Sequence, residues 1–299
     1  MDMNSYPTIP TKNIVIRNQS PDHWFGTDYN MNIYRGCPHG CIYCDSRSHC
    51  FKNPDFDTVK VKENALEVIR NDLRRKVKTG VIGTGAMSDP YNPLEKELKL
   101  TRNALELINA FNFGVGLATK SALVTRDADI LRDIQTHSPV IVKFSISTAD
   151  DELCKKLEPN AAAASERFEA MRQLSAQGIF CGVLLVPLLP FVNDKEDNII
   201  KILTLAHDSG AKFVYTYMGM TLRTGSREYY YAHLDKIMPG VKEKYMRRFG
   251  PRYTCISPNS KKLWLSFTEK CEMLGLLYDM KAITYHYKAG HDSSQLTLS

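Results

Sequence analysis

A chain of 299 residues with 43% hydrophobic, 24% charged and 10% aromatic residues has the make-up of a folded globular protein and excludes extended disorder. Its length suits one α/β barrel-type domain better than two. The formal net charge of +6 permits an anionic partner without demanding one. Two basic runs, Arg70, Arg74, Arg75, Lys76 and Lys78, then Lys242, Lys244, Arg247, Arg248 and Arg252, read first as solvated helix faces and second as a phosphate-binding stripe. The most apolar stretch, 179–192, is broken by Gly182, Pro187 and Pro190 and is too short to span a bilayer, so no membrane association is expected. The start lacks a basic end followed by an apolar core, which points to a reducing cytoplasm. The eight cysteines then read as thiols or metal ligands rather than a disulfide framework.

Alternation over 29–34 predicts a first strand running into a cysteine-rich loop. Leu66, Ile69, Leu73 and Val77 recur at helical spacing, and 81–85 follows as a short buried strand. The rhythm then repeats: a helix marked by Leu100, Ala104, Leu107, Ile108 and Phe111, a strand over 114–120, a helix over 127–136 and a strand over 140–147. A helix over 165–177, a strand over 179–186, a helix over 198–208 and a strand over 212–217 complete about six β/α units. Such a rhythm implies parallel strands joined by right-handed crossovers, so the expected fold is α/β, a partial (β/α)6 barrel. Three helices follow, Ser226–Ile237, Val241–Phe249 and Ser260–Leu274, and then a short polar tail. The expected division is a lead-in over 1–27, a barrel core over 28–225 and a C-terminal helical extension over 226–299 packed on the barrel. Reactive groups in such a fold gather at the carboxyl ends of the strands.

The first strand runs straight into Cys37, Cys41 and Cys44, spaced CxxxCxxC. Three thiolates from one compact loop can each ligate one corner of an iron-sulfur cubane, with Gly36 and Gly40 letting the backbone turn to aim them. The fourth corner then stays open to an external ligand, the arrangement that separates catalytic from structural metal sites. The competing reading is a zinc knuckle completed by His39, His49 or Cys50, although a second short Cys/His hook is lacking.

The spacing CxxxCxxC with an aromatic, Tyr43, before the last cysteine resembles the radical S-adenosylmethionine (SAM) superfamily. The likeness continues through 34–41, 88–95, Leu100-Thr101-Arg102, Thr119-Lys120-Ser121, Arg126-Asp127, Glu158-Pro159, 190–194 and 295–298, as in the branch grouped with spore photoproduct lyase. It implies an enzyme that binds SAM on the open iron of a 4Fe-4S cluster held by Cys37, Cys41 and Cys44. SAM would be cleaved reductively to a 5′-deoxyadenosyl radical that abstracts hydrogen from an unidentified substrate. A one-electron donor such as flavodoxin or ferredoxin is implied, and DNA is a possible partner. The lyase also uses a cysteine as hydrogen-atom donor; Cys154, Cys181, Cys255 and Cys271 do not align with it, and such residues more often act as small buried hydrophobes.

Cofactor contacts follow from the same likeness and from position. Gly83 and Gly85 end the second strand and allow close backbone approach, with Ser88 and Asp89 at its mouth. Asp89 either takes the methionyl ammonium of SAM or starts an Asp-Pro turn. Lys120 ends the third strand, where its ammonium could hold the SAM carboxylate or a ribose oxygen. Lys143, Ser145 and Ser147 alternate with Val142, Phe144 and Ile146, so one strand face is polar, and Ser145 or Ser147 is expected at the SAM ribose. Glu158 and Arg167 match the family pattern and are either a supporting ion pair or ordinary surface charges, and Leu184 and Val186 offer either core packing or an adenine wall.

Overall fold

The computed structural model describes residues 6–20 and 24–291. The lysine- and serine-bearing fourth barrel strand and its neighbours form one sheet of seven strands laid side by side in the order they occur along the chain. They are β1 (Val15–Arg17), β2 (Tyr29–Met31), β3 (Val81–Thr84), β4 (Gly114–Thr119), β5 (Val140–Ser145), β6 (Cys181–Leu185) and β7 (Phe213–Thr216). Neighbours from β2 to β7 pair in parallel, and β1 closes the β2 edge antiparallel. Pairing runs linearly from β7 to β1 without joining the two ends, so the six parallel strands make an open, partial barrel.

Hydrophobic period explains each layer. Strands β4 and β6 are buried along their whole lengths, as parallel strands covered on both faces must be. Their helices carry one apolar stripe each: α1 (Ala65–Arg74), α2 (Leu100–Ala110), α3 (Ala128–Gln135), α4 (Asp151–Leu157), α5 (Ala164–Ser175) and α6 (Glu196–Asp208). In α6, Ile199, Ile202, Leu203 and Ala206 are all buried at i, i+3, i+4 and i+7. Beyond β7 a short antiparallel ribbon pairs Gly219–Thr221 with Thr254–Ile256, with α7 (Ser226–Ile237) and α8 (Val241–Phe249) between its strands, and α9 (Ser260–Leu274) and α10 (Met280–Lys288) follow. No helix among the described residues is long and apolar enough to cross a membrane.

Four details depart from the sequence expectation. The strand expected over 29–34 is two: Tyr29–Met31 stays in the main sheet, while Tyr34–Arg35 turns away to pair with Lys60–Lys62 in a three-stranded sheet beneath the cysteine loop. Helix α1 ends at Arg74, and Val77, counted in its stripe, is fully exposed. The second ribbon strand, Thr254–Ile256, lies inside what reads from sequence as a purely helical stretch. The expected polar tail contains helix α10, whose Ile283 and Tyr287 are buried; the tail motif at 295–298 lies outside the described residues.

Helix α10 has a clear job. Trp24, Phe25 and Gly26 are consecutive residues at positive φ (47°, 60° and 58°), a costly left-handed turn that needs outside support. The Tyr287 hydroxyl donates to the Phe25 carbonyl at 2.6 Å, the Lys288 ammonium to the Gly26 carbonyl at 2.5 Å, and the Phe25 amide meets Met280 Sδ at 3.1 Å. Burial of Phe25 against Phe213 and an edge-on contact of the exposed Trp24 ring with Tyr215 complete the clamp.

A buried polar knot ties the cysteine-loop sheet to the barrel. Glu95, fully buried, accepts from the Tyr34 hydroxyl at 2.5 Å, the Thr101 amide at 3.0 Å and Arg126 Nη2 at 2.8 Å. Arg126 also bonds Asp127 at 2.8 Å, so the family-patterned residues 95, 126 and 127 are an architectural unit. Glu95→Ala would leave Tyr34 and Arg126 short of their acceptor in a dry site. The expected loss is about 3 kcal/mol, read as a lower midpoint with unchanged slope in urea unfolding.

Candidate functional site

The cysteine loop is drawn over the carboxyl ends of β2 to β5. Its entry turn requires glycine: Gly36 has φ of 87°, and a Cβ there would stand 2.4 Å from the Thr58 carbonyl oxygen. Gly40, at φ of 70°, makes the second turn against Pro159. The Cys37 amide donates to Phe56 O at 2.8 Å, the Ile42 amide to Leu157 O at 3.0 Å, and Asn160 spans back to Pro38 O at 2.8 Å. The loop is therefore pinned at both ends and its middle. Cys41, Ile42 and Tyr43 also share an apolar cluster with Tyr230, Tyr245 and Phe249 of the C-terminal helices.

Cys37, Cys41 and Cys44 line one small cavity of about 110 Å³, with Asp89, Lys120 and Ser145 on its opposite walls. Burial pushes the Cys37 thiol up to about 12, with the Asp89 carboxylate adding to it. Burial likewise raises Cys41 and Cys44 above the ordinary thiol value, so thiolates here need a compensating cation. Among the described residues no set of His, Cys, Asp and Glu converges to hold a single metal ion. Three cysteines lining one cavity are a donor set that fits an iron-sulfur cluster, each sulfur able to meet its own iron. Cys50 is exposed outside the cavity, with its sulfur 2.9 Å from Ser48 Oγ. It does not complete the set.

Tyr43 is fastened beside Cys44 by a buried ion pair. Its hydroxyl donates to Glu158 Oε1, and Glu158 Oε2 pairs with Arg167 Nη2. Arg167 also donates to the Ser145 carbonyl at 2.7 Å and the Ala162 carbonyl at 2.6 Å. Glu158 and Arg167 are 2% and 0% exposed, so the ion pair expected from sequence forms and is entirely internal. Burial would raise the Glu158 carboxyl, but the Arg167 guanidinium and the Lys120 ammonium outweigh it and hold its pKa below the ordinary value of 4.5.

The carboxylate of Asp89 plays the turn role. It accepts from the Tyr91 amide at 2.9 Å, the Thr119 hydroxyl at 2.7 Å and the Lys120 amide at 2.7 Å, and His39 Nδ1 lies 3.5 Å away. That geometry joins the β3 and β4 mouths and still leaves Asp89 on the cavity wall. Ser88 donates to the Gly36 carbonyl at 2.6 Å. Lys120 is common to three adjoining cavities: the cysteine cavity, one of about 450 Å³ at the mouth and one of about 510 Å³ in the barrel lumen. Burial pushes its ammonium down, but Cys41 and Glu158 reverse this and hold it above the ordinary lysine value.

Ser145 lines the cysteine cavity and the lumen, whereas Ser147 lines neither and its buried hydroxyl has no partner. Leu184 and Val186 both face the lumen. Two residues at the mouth escaped the sequence reading: Trp24 and Tyr217, 45% and 39% exposed, which line the 450 Å³ cavity with Tyr43 and Tyr215. Only their aromatic type could have flagged them, because the left-handed turn that raises Trp24 has no local signature. Cys154, Cys181, Cys255 and Cys271 are buried and line none of these cavities. Neither basic run contributes a wall.

Comparison with known proteins agrees with this geometry. A family model described as Radical SAM superfamily matches residues 31–203. An uncharacterized protein of Mycobacterium tuberculosis is 31% identical over 232 residues, 75% of this chain and 68% of its own. Spore photoproduct lyase of Clostridium acetobutylicum is 26% identical over 176 residues, 57% of this chain and 49% of its own. Among solved structures, spore photoproduct lyase complexed with dinucleoside spore photoproduct superposes with a TM-score of 0.67 at 15% identity, over 89% of this chain and 78% of that one. The structural likeness establishes the fold.

Removing the Glu158 charge should be costly. Glu158→Gln leaves the Arg167 guanidinium uncompensated, with an expected loss of about 3 kcal/mol in urea unfolding, and Glu158→Gln with Arg167→Met should recover much of it. Because the folded pKa is depressed, the carboxylate's contribution is complete above the unfolded value near 4.5 and is lost as pH falls below it toward the folded value. The wild-type unfolding free energy should decline over that acid window more steeply than that of the double variant.

Proposed function

The chain belongs to the radical SAM superfamily, an enzyme family whose chemistry needs SAM and an iron-sulfur cluster, and on that premise we propose that it cleaves SAM at a 4Fe-4S cluster held by Cys37, Cys41 and Cys44. The observation that carries the proposal is the shared cavity of these three cysteines facing Lys120, Ser145 and Asp89 across the strand ends. When bound, the cluster and SAM supply the electron and the 5′-deoxyadenosyl radical that abstracts hydrogen from the substrate.

The protein's part is holding and shielding. Tyr43, fixed by the Glu158–Arg167 pair, keeps the cysteine loop seated on the barrel. Lys120, charged and central to all three cavities, binds the carboxylate of SAM. Ser145, tethered through its carbonyl to Arg167, faces the ribose. Ser88 and Asp89 set the β3 mouth that the methionyl end approaches. The apolar walls Leu184 and Val186 exclude water from the adenosyl end. Reduction requires a one-electron donor of the flavodoxin or ferredoxin type.

The substrate enters at the mouth, where Trp24, Tyr215 and Tyr217 offer ring faces to a planar group. That aromatic wall, with the resemblance to spore photoproduct lyase, favours a nucleobase-bearing substrate such as damaged DNA as the second reading. Against lyase chemistry, the cavities hold no thiol except the three of the cysteine loop.

After anaerobic reconstitution with iron and sulfide, the reduced protein should convert SAM to 5′-deoxyadenosine and methionine. Alanine at Cys37, Cys41 or Cys44 should bring this to background, and Cys50→Ala should leave it at the wild-type rate. A purified protein that retains zinc and forms no 5′-deoxyadenosine would falsify the proposal. Lys120→Met should raise KM for SAM about tenfold, as expected for loss of a charge-assisted contact, with a smaller effect on kcat.

A further inference from the structure

The lumen beneath the SAM-binding strand ends contains a feature that the cofactor reading leaves unused. Lys143, on β5, is 2% exposed, yet it makes no hydrogen bond and no ion pair among the described residues. Its ammonium lies 5.1 Å from the centroid of the buried Phe25 ring. It points at Gly116 of β4, where a Cβ would sit 3.1 Å from Nζ. Glycine at that point of the strand leaves room around the charge, and Lys143 lines the 510 Å³ lumen cavity.

The walls of that cavity are selective in sign. Among the described residues its titratable groups are Lys143 and Lys120, and no carboxylate lines it. Neutral polar side chains lining the same cavity include Asn18, Thr27 and Asn30, and the Asn18 amide donates to the Thr27 hydroxyl at 3.1 Å. A buried lysine ordinarily acquires a carboxylate or gives up its proton. Here burial alone acts, and it pushes the amine down to about 7. A group so placed is stabilised as an ammonium when an anion is brought to it.

We infer that the barrel lumen is a subsite for an oxyanion of the substrate, a carboxylate or phosphate, held by Lys143 with Thr27, Asn18 and Asn30 beside it. The inference rests on the proposed radical SAM reading only in assigning the oxyanion to the substrate. The Glu158 carboxylate lies near enough to Lys120 to favour its charged form, whereas Lys143 has no carboxylate neighbour among the described residues. Positioned this way, an anionic end anchored in the lumen directs the rest of the molecule toward the aromatic mouth and the cysteine cavity, with which the lumen shares Lys120 and Ala86.

The test is calorimetric titration of the reconstituted protein with inorganic sulfate and with acetate, at matched ionic strength, with and without saturating SAM. Sulfate stands for a phosphate and acetate for a carboxylate, and the tighter of the two names the class. The expected result is one saturable site that persists with SAM present, weakens by about tenfold or more in both Lys143→Met and Lys143→Gln, and weakens in the wild type from pH 6 to pH 8.5. Two uncharged replacements of similar length guard against a folding artefact in either.

Equal affinity in wild type and variants, or no saturable site for either anion, overturns the inference. Displacement of the anion by SAM also overturns it, because the position then belongs to the cofactor's carboxylate. Failure of SAM cleavage in the same preparation would instead strike the radical reading, and the anion titration remains readable without it.

Discussion

The internal pair between Glu158 and Arg167 is the interaction on which the site depends. One carboxylate reaches the Tyr43 hydroxyl in the cysteine loop, and the guanidinium it neutralises reaches the Ser145 carbonyl at the end of β5 and the Ala162 carbonyl before α5. A loop of nine residues, a barrel strand and a helix start are thereby held by groups that have no access to water. Buried ion pairs are a poor source of net stability, because desolvation consumes most of the attraction. What they supply is directionality: a bidentate guanidinium between fixed carbonyls tolerates little displacement.

The same economy of charge shapes the surroundings. Thiols whose pKa burial has raised, a lysine raised by neighbouring negative groups, and a second lysine lowered by burial lie within one set of adjoining cavities. The thiols and Lys143 are out of balance in the protein alone, and each would be balanced by a group of stated charge: a cation for the thiols, an oxyanion for Lys143. Perturbed groups gathered in a cleft are the usual mark of a working site, since structural charges are normally paired off within the protein.

Support for the mouth comes from far away in sequence. Trp24 stands at the rim because Phe25 and Gly26 turn left-handed, and that turn persists because Tyr287 and Lys288 cap its carbonyls. The C-terminal helices are thus part of the site's scaffold, a point reinforced by Tyr230, Tyr245 and Phe249, which pack under Cys41 and Tyr43.

Much of this was legible in the linear chain. Six β/α repeats follow from hydrophobic period, which is local, and the proposed cluster ligands follow from CxxxCxxC, which is also local. The partition of the polar face of β5 was half legible: alternation put Lys143, Ser145 and Ser147 on one side, and the ending of the strand at Ser145 withdrew Ser147 from the cavities. The break after Met31, the helix at Met280–Lys288 and the rim position of Trp24 were not legible, because each is decided by a partner dozens to hundreds of residues away. By itself the sequence determined which residues could hold a cluster and at which end of the strands they would lie. Tertiary structure alone decided that Asp89 also joins Thr119 and Lys120, that Glu158 and Arg167 meet, and that Lys143 faces a cavity with no counter-ion among the described residues, since pairing of charges depends on what long-range packing brings within reach.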